Sequence, residues 1–221
     1  MSVTEWLDGP VDSVIGPSEE IVLKGTEALR GVLVGSIMDG YAWGKLFRSS
    51  LFRGIRFPVG RVYEDVRVIW EVVGRAELTL LLPDALMHYR MRRGSIAHAF
   101  SHKYILDCWE AYLWRCKRAR ERYPQLDAYA SASCMKVACW AWRRYFYIPK
   151  ANRLGMSETY GEISHFAREG FLTAIRGPLD LLNKLLLPFV CWQHPISFFI
   201  VNTIDRAYRI VTCQRNSRMF D

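Results

Sequence analysis

The chain has 221 residues, 51% of them hydrophobic, with eight Trp and a formal net charge of +8. That length can bury one good core and a second, helical subdomain. The basic balance favours anionic partners such as nucleotide phosphates or anionic lipid headgroups, whereas the scattered Lys and Arg, with no zinc-finger, helix-turn-helix or RNP signature, exclude nucleic acid.

Residues 1–17 read as loop or a short edge element; they hold Glu5, Asp8 and Asp12 and no apolar run, so no signal peptide is expected there. Residues 18–34 predict a helix with Leu29, Val32 and Leu33 on its apolar side. Tyr41 reads as structural. Residues 45–52 predict one or two helical turns, and 56–60 a loop punctuated by Pro58 and Gly60. Glu64 and Asp65 open a helix over 64–75, with Val66, Ile69, Val72 and Val73 at helical spacing. Carboxylates in a first turn complement the helix dipole, so this pair has a capping reading beside any functional one. A buried strand is predicted over 77–82 and a second over 85–89, followed by Arg90, Arg92 and Arg93.

Residues 101–123 predict a helix whose apolar face holds Ile105, Leu106, Trp109, Tyr112, Leu113 and Cys116. A helix over 125–147 pairs with it antiparallel. After a break at 152–155, an amphipathic helix over 157–171 is capped by Ser157. From residue 179 the apolar runs are broken by Pro188 and Pro195, below the ~20 residues of a spanning helix. Lys184, Arg206 and Arg209 flank them, so this segment reads either as lying in a membrane surface or as packing on the protein's own core. Six Cys without a C-x-x-C pair read as core thiols in a reducing compartment. His98 and His102 lack companions at ligand spacing and read as surface residues.

Five segments follow one another: Trp43-Gly44-Lys45-Leu46-Phe47-Arg48, Ile55-Arg56-Phe57-Pro58, Tyr63-Glu64-Asp65, His88-Tyr89-Arg90-Met91-Arg92 and Gly94-Ser95-Ile96. The ordered set resembles the second half of bacterial family-2 glycosyltransferases, which carry W-N-K-L-Y/F-R, I-R-F-P-E-G, Y-E-D and Y-Y/H-Y-R-x-R-x-G-S-I. It covers about 55 residues, roughly a quarter of the chain. Gly44, Val59 and Arg93 depart from it, standing where Asn, Glu and Pro are common. Glu27-Ala28-Leu29 resembles the helix that precedes the tryptophan segment. The V-P-V-Y-N strand, D-D-G-S turn and D-x-D strand end of the family's first half do not occur in these residues. The sequence therefore resembles a member without its nucleotide-binding half.

The resemblance implies an α/β fold with a partial GT-A-like domain of helices and short strands over 1–98; the residues that follow add a helical subdomain over 99–175 and an amphipathic segment over 176–221 that either lies in a membrane surface or packs on the protein's own core. The resemblance implies transfer of a sugar from a nucleotide-sugar donor to a cell-surface polysaccharide or glycan acceptor, at the inner face of the cell membrane. An acceptor hydroxyl must lose its proton to a base; the resemblance puts Asp65 there, with Glu64 beside it. Trp43 is either a core aromatic or, as the resemblance favours, a wall stacking on a sugar ring. Lys45, Arg90 and Arg92 would bind substrate, the arginines through its diphosphate. His88 would contact a metal or the diphosphate, or be a strand residue satisfied by a backbone carbonyl. A divalent metal, Mn or Mg, is expected from the family, although its D-x-D carboxylates are not in this chain. A separate chain carrying the nucleotide-binding half is an expected partner. The alternative is a non-catalytic remnant acting as a membrane-surface or partner-binding module.

Overall fold

A computed structural model describes residues 2–6, 9–15, 17–35, 38–84, 86–90, 101–145, 148, 153, 155–192, 200 and 203, with side chains from 17 onward except at 88–90. The fold is mixed α/β and mostly helical. Contacts divide it into two units, Met1–Cys134 and Met135–Asp221.

In the first unit, β1 (Ser2–Trp6) and β2 (Gly9–Ile15) form an antiparallel hairpin, and β1 also runs parallel to β5 (Met87–Arg90), in the order β2-β1-β5. The start of the chain, expected as loop or a short edge element, is thus a strand hairpin with β2 at the edge of its sheet. Asp8-Gly9 between runs rich in Val, Thr and Ile is a hairpin signal. The helix expected over 18–34 is likewise a strand in its first part. Ile21-Val22-Leu23 sit in β3 (Ile21–Lys24), and only after Gly25, at φ +50°, does α1 (Thr26–Val34) begin. Gly35, at φ +72°, ends α1 by donating its N–H to Gly31 O at 2.8 Å, a left-handed cap without Cβ strain.

β3 pairs antiparallel with β4 (Leu78–Leu81). β4 and β5 therefore belong to different sheets, and β4 is not buried: Leu78 and Leu80 are exposed, as is Val22 opposite Leu80.

α2 (Glu64–Arg75) packs Val66, Ile69, Trp70, Val72 and Val73 between α1 and α3 (His102–Arg122). Ser101 Oγ accepts from the Tyr104 N–H at 3.2 Å and caps α3. Glu71 on α2 accepts from Arg118 at 3.2 Å and Arg122 at 3.0 Å near the end of α3. Arg75 donates to the Leu51 and Arg53 carbonyls, holding a single 3₁₀ turn, Ser49–Phe52, beside α2. After a second such turn, Pro124–Leu126, α4 (Asp127–Tyr145) turns back along α3. There Arg120 meets Asp127 at 2.5 Å and Ser131 at 2.9 Å, and Arg115 meets Ser133 at 2.7 Å.

The second unit holds the rest of α4 with α5 (Met156–Glu169), α6 (Phe171–Arg176) and α7 (Leu181–Trp192). The Tyr160 hydroxyl donates to Ala141 O and Ser164 Oγ to Val190 O, each at 2.7 Å. One local expectation fails here. Ser157 lies inside α5, which starts from Gly155 at φ +79° without a side-chain cap. Pro188 lies inside α7; burial of Leu186, Leu187, Val190 and Cys191 holds the helix despite the hydrogen bond a proline forgoes. Pro195 lies outside the described residues. The five described cysteines are free and buried.

The loop entering α2 is pinned by Asp107 of α3, whose side chain is 1% exposed. Oδ1 accepts from Arg61 at 2.6 Å; Oδ2 accepts from Lys103 at 2.6 Å and from the Val62 N–H at 3.0 Å. Burial pushes this carboxyl up, but the hydrogen bonds from Lys103, Arg61 and Val62 outweigh it and hold it below the usual aspartate value. The stability it supplies is complete above the unfolded pKa of about 3.9 and is lost as pH falls through the lower folded value. Asp107→Ala leaves the exposed Lys103 and the half-buried Val62 amide without this acceptor and Arg61 with Glu110 alone, and is expected to cost about 2 kcal/mol in urea unfolding at neutral pH. Asp107→Asn should flatten the loss of stability below about pH 4; a steep, unchanged acid limb would contradict this anchor.

Candidate functional site

The anchored loop delivers Tyr63 as the residue before α2. Among the described residues it is the only non-glycine with positive φ, +59°. An aromatic residue there is strained, and its neighbours must hold it. Its ring meets Tyr104 edge-on at 5.0 Å, and its hydroxyl donates to the Tyr104 hydroxyl at 2.8 Å. Burial, then the adjacent Cys108 and Tyr104, push the Tyr63 phenol up, so it stays protonated. Burial also pushes the Cys108 thiol up to about 12, so it is no nucleophile at neutral pH.

Glu64 and Asp65, in the first turn of α2, have different surroundings. Glu64 helps line a shallow cleft with Pro58, Arg61, Tyr63 and Arg67 against α3. Asp65 is half-buried and faces the tryptophan loop, with the backbone amide of Ala42 against its carboxylate. Burial and then the charge of Glu64 raise the Asp65 pKa; the amides of Ala42, Val66 and Asp65 itself oppose this without cancelling it.

Asp39 organises the loop that meets Asp65. Its Oδ1 accepts from the Tyr41 N–H at 3.0 Å and from Lys45 Nζ at 2.5 Å. Tyr41 stacks on Trp43 with centroids 4.9 Å apart and planes 11° apart, so the two rings form one platform. Gly44 has φ +68°, a region open to glycine and tolerated by Asn. A Cβ on Gly44 would lie 3.6 Å from Met87 Sδ, which sets the loop against the start of β5. A Cβ on Gly40 would lie 3.4 Å from the guanidinium of Arg115, itself buried, 4.3 Å over the Tyr112 ring.

The loop that carries Trp43 and Lys45 thus meets Asp65 through the Ala42 amide and the start of β5 through Met87. Lys45 is held by Asp39, with its side chain 16% exposed. The backbones of His88 and Arg90 lie opposite Val3 and Glu5 of β1; Arg92 lies outside the described residues. Among the described residues no group of three His, Cys, Asp or Glu side chains could hold a metal ion. Three residues that shape the candidate site escaped sequence reasoning. Asp39 and Asp107 belong to no motif, although Asp107 stands among apolar Ile105, Leu106, Cys108 and Trp109 of α3. The strain at Tyr63 leaves no trace in composition.

Over 64 residues the chain is 34% identical to the glycosyltransferase GlyA of Streptococcus pneumoniae serotype 4 (strain ATCC BAA-334 / TIGR4). That match covers 29% of this chain and 9% of GlyA: the chain is related to a glycosyltransferase along that stretch and spans a small part of the relative's length. No protein-family model matches the chain, and no solved structure matches it.

The raised pKa of Asp65 makes its part in capping α2 testable through stability. A carboxyl with a raised folded pKa contributes stability below its unfolded pKa and loses it as pH rises through the folded value, so at neutral pH the charge is a burden. Asp65→Asn should therefore raise stability at neutral pH, on the order of 0.5 kcal/mol by thermal or urea unfolding. A loss of about 1 kcal/mol would mean that Asp65 serves chiefly to cap α2.

Proposed function

We propose that this chain forms the acceptor side of a glycosyltransferase, with Asp65 as general base for the attacking hydroxyl of a glycan. The observation that carries this reading is a half-buried carboxylate with a raised pKa, set against a loop whose Tyr41 and Trp43 rings form a stacked platform. A base must lie within reach of the hydroxyl it deprotonates, and its proton affinity must rise toward working pH. An aromatic platform beside it orients a sugar ring through its apolar face. The identity to GlyA supports the same class of chemistry.

In this reading Asp65 accepts the hydroxyl proton as the oxygen bonds to the anomeric carbon, and the nucleoside diphosphate departs with the bonding pair. Asp39 fixes the loop through Tyr41 and Lys45. Glu64 raises the proton affinity of Asp65. Arg90 and Arg92 meet the diphosphate, and His88 lies close to it. The donor's nucleoside is held by a nucleotide-binding half whose motifs do not occur in these 221 residues. The exposed apolar face of β3 and β4, with Val22, Leu78 and Leu80, supports a further body packing on this unit.

Turnover in the presence of a fused or added nucleotide-binding half tests this reading. Asp65→Asn should lower it at least ~100-fold, the scale of a lost general base, and Arg92→Ala should weaken nucleotide-sugar binding. Unchanged turnover in Asp65→Asn would remove Asp65 from the mechanism, and no turnover in wild type would favour a non-catalytic module. The chain alone should show no tight binding of a nucleotide sugar with manganese in titration calorimetry; micromolar binding abolished by His88→Ala would instead give this chain a donor site of its own.

A further inference from the structure

Five large apolar side chains are exposed on two adjoining helices of the second unit: Leu172 and Ile175 on α6, and Leu181, Leu185 and Trp192 on α7. The spacing of the α7 residues places them on one side of that helix. Its other side buries Leu186, Leu187, Val190 and Cys191 against the protein. α7 is thus apolar on two opposite sides, with Asn183 and Lys184 between them, yet covered on one side only. A helix of this kind meets a second apolar phase. Its 12 residues rise about 18 Å, well short of the ~30 Å hydrocarbon core of a bilayer. No helix among the described residues is long and apolar enough to cross a membrane.

Charge decides what that phase is. Arg168 and Arg176 are exposed beside these helices, and Lys184 is partly exposed on α7 itself. The neighbouring acids are engaged: Glu169 lies 3.3 Å from His165, while Asp180 accepts from Asn183 Nδ2 at 2.8 Å and lies 3.7 Å from Lys136. Trp192, its ring meeting Phe171 edge-on at 6.1 Å, stands exposed at the end of α7, and indoles prefer the headgroup boundary. An anionic lipid surface supplies both the apolar phase and the negative charge that this face and a net charge of +8 call for.

We propose that α6 and α7 form a membrane-surface docking face. Leu181, Leu185 and Trp192 enter the outer part of an anionic leaflet, and Arg168, Arg176 and Lys184 meet lipid phosphates. The surface is independent of the glycosyltransferase reading and stands or falls without it.

Sedimentation of the full chain with vesicles tests it. Binding to mixed phosphatidylglycerol–phosphatidylcholine vesicles is expected, at least ~10-fold weaker to phosphatidylcholine alone and weaker at high salt. Leu181→Glu/Leu185→Glu, at exposed positions, should lower affinity at least ~10-fold with the circular dichroism and urea midpoint of wild type. Trp192→Phe, a milder change, should remove part of the fluorescence quenched by brominated lipid, which keeps the test alive if the double variant misfolds. Failure of wild type to bind mixed vesicles, or equal binding by a folded double variant, overturns the proposal. A wild-type dimer that the double variant converts to monomer, with lipid binding unchanged, assigns the face to a second copy of the chain and also overturns it.

Discussion

The Asp107 carboxylate is the contact on which the first unit's functional geometry depends. Buried in α3, it gathers Arg61, Lys103 and the Val62 amide, and so fixes the chain just before α2. Together with the Arg61–Glu110 pair and the Tyr63–Tyr104 contact, it holds the backbone that enters α2 through Tyr63 in the left-handed region. The Tyr63 ring settles on Tyr104, and the next two residues leave in different directions, Glu64 to an open cleft and Asp65 toward Ala42. Burial energy and charge pairing in one helix thus set the aim of a carboxylate on another.

Several of this site's features run against local preference. Tyr63 occupies a conformation suited to glycine, Asp65 is raised by burial and by a like charge, and the apolar face of β3 and β4 meets solvent. Each feature lowers stability slightly, and such violations concentrate where structure serves function. Asp107 shows the opposite pattern, with every nearby donor lowering its pKa. The first carboxylate is therefore suited to accept a proton and the second to remain an anion.

The helices were largely legible in the sequence, and the pairing of strands was not. The boundaries of α2 follow from an unbroken apolar period opened by two acids, and those of α3 from the same period behind Ser101. β1 with β5 and β3 with β4 join residues far apart in the chain, and periodicity names no partner for a strand. Ser157 misled because α5 starts from Gly155 in the left-handed region and takes Ser157 into its first turn. At the site, the order of Trp43, Lys45 and Asp65 carried information because each belongs to a motif. Asp39 and Asp107 act as single carboxylates whose meaning lies in distant donors, so no spacing announces them.

Asp65 faces the tryptophan loop with a raised proton affinity, and the backbone amide of Ala42 reports on both its position and its titration. In an isotope-labelled chain followed by NMR through an acid titration, the Ala42 amide should shift with a midpoint above the ordinary aspartate value of about 3.9. The shift should vanish in Asp65→Asn. An Ala42 amide that does not move, or that follows a midpoint at or below the ordinary value, would contradict the account.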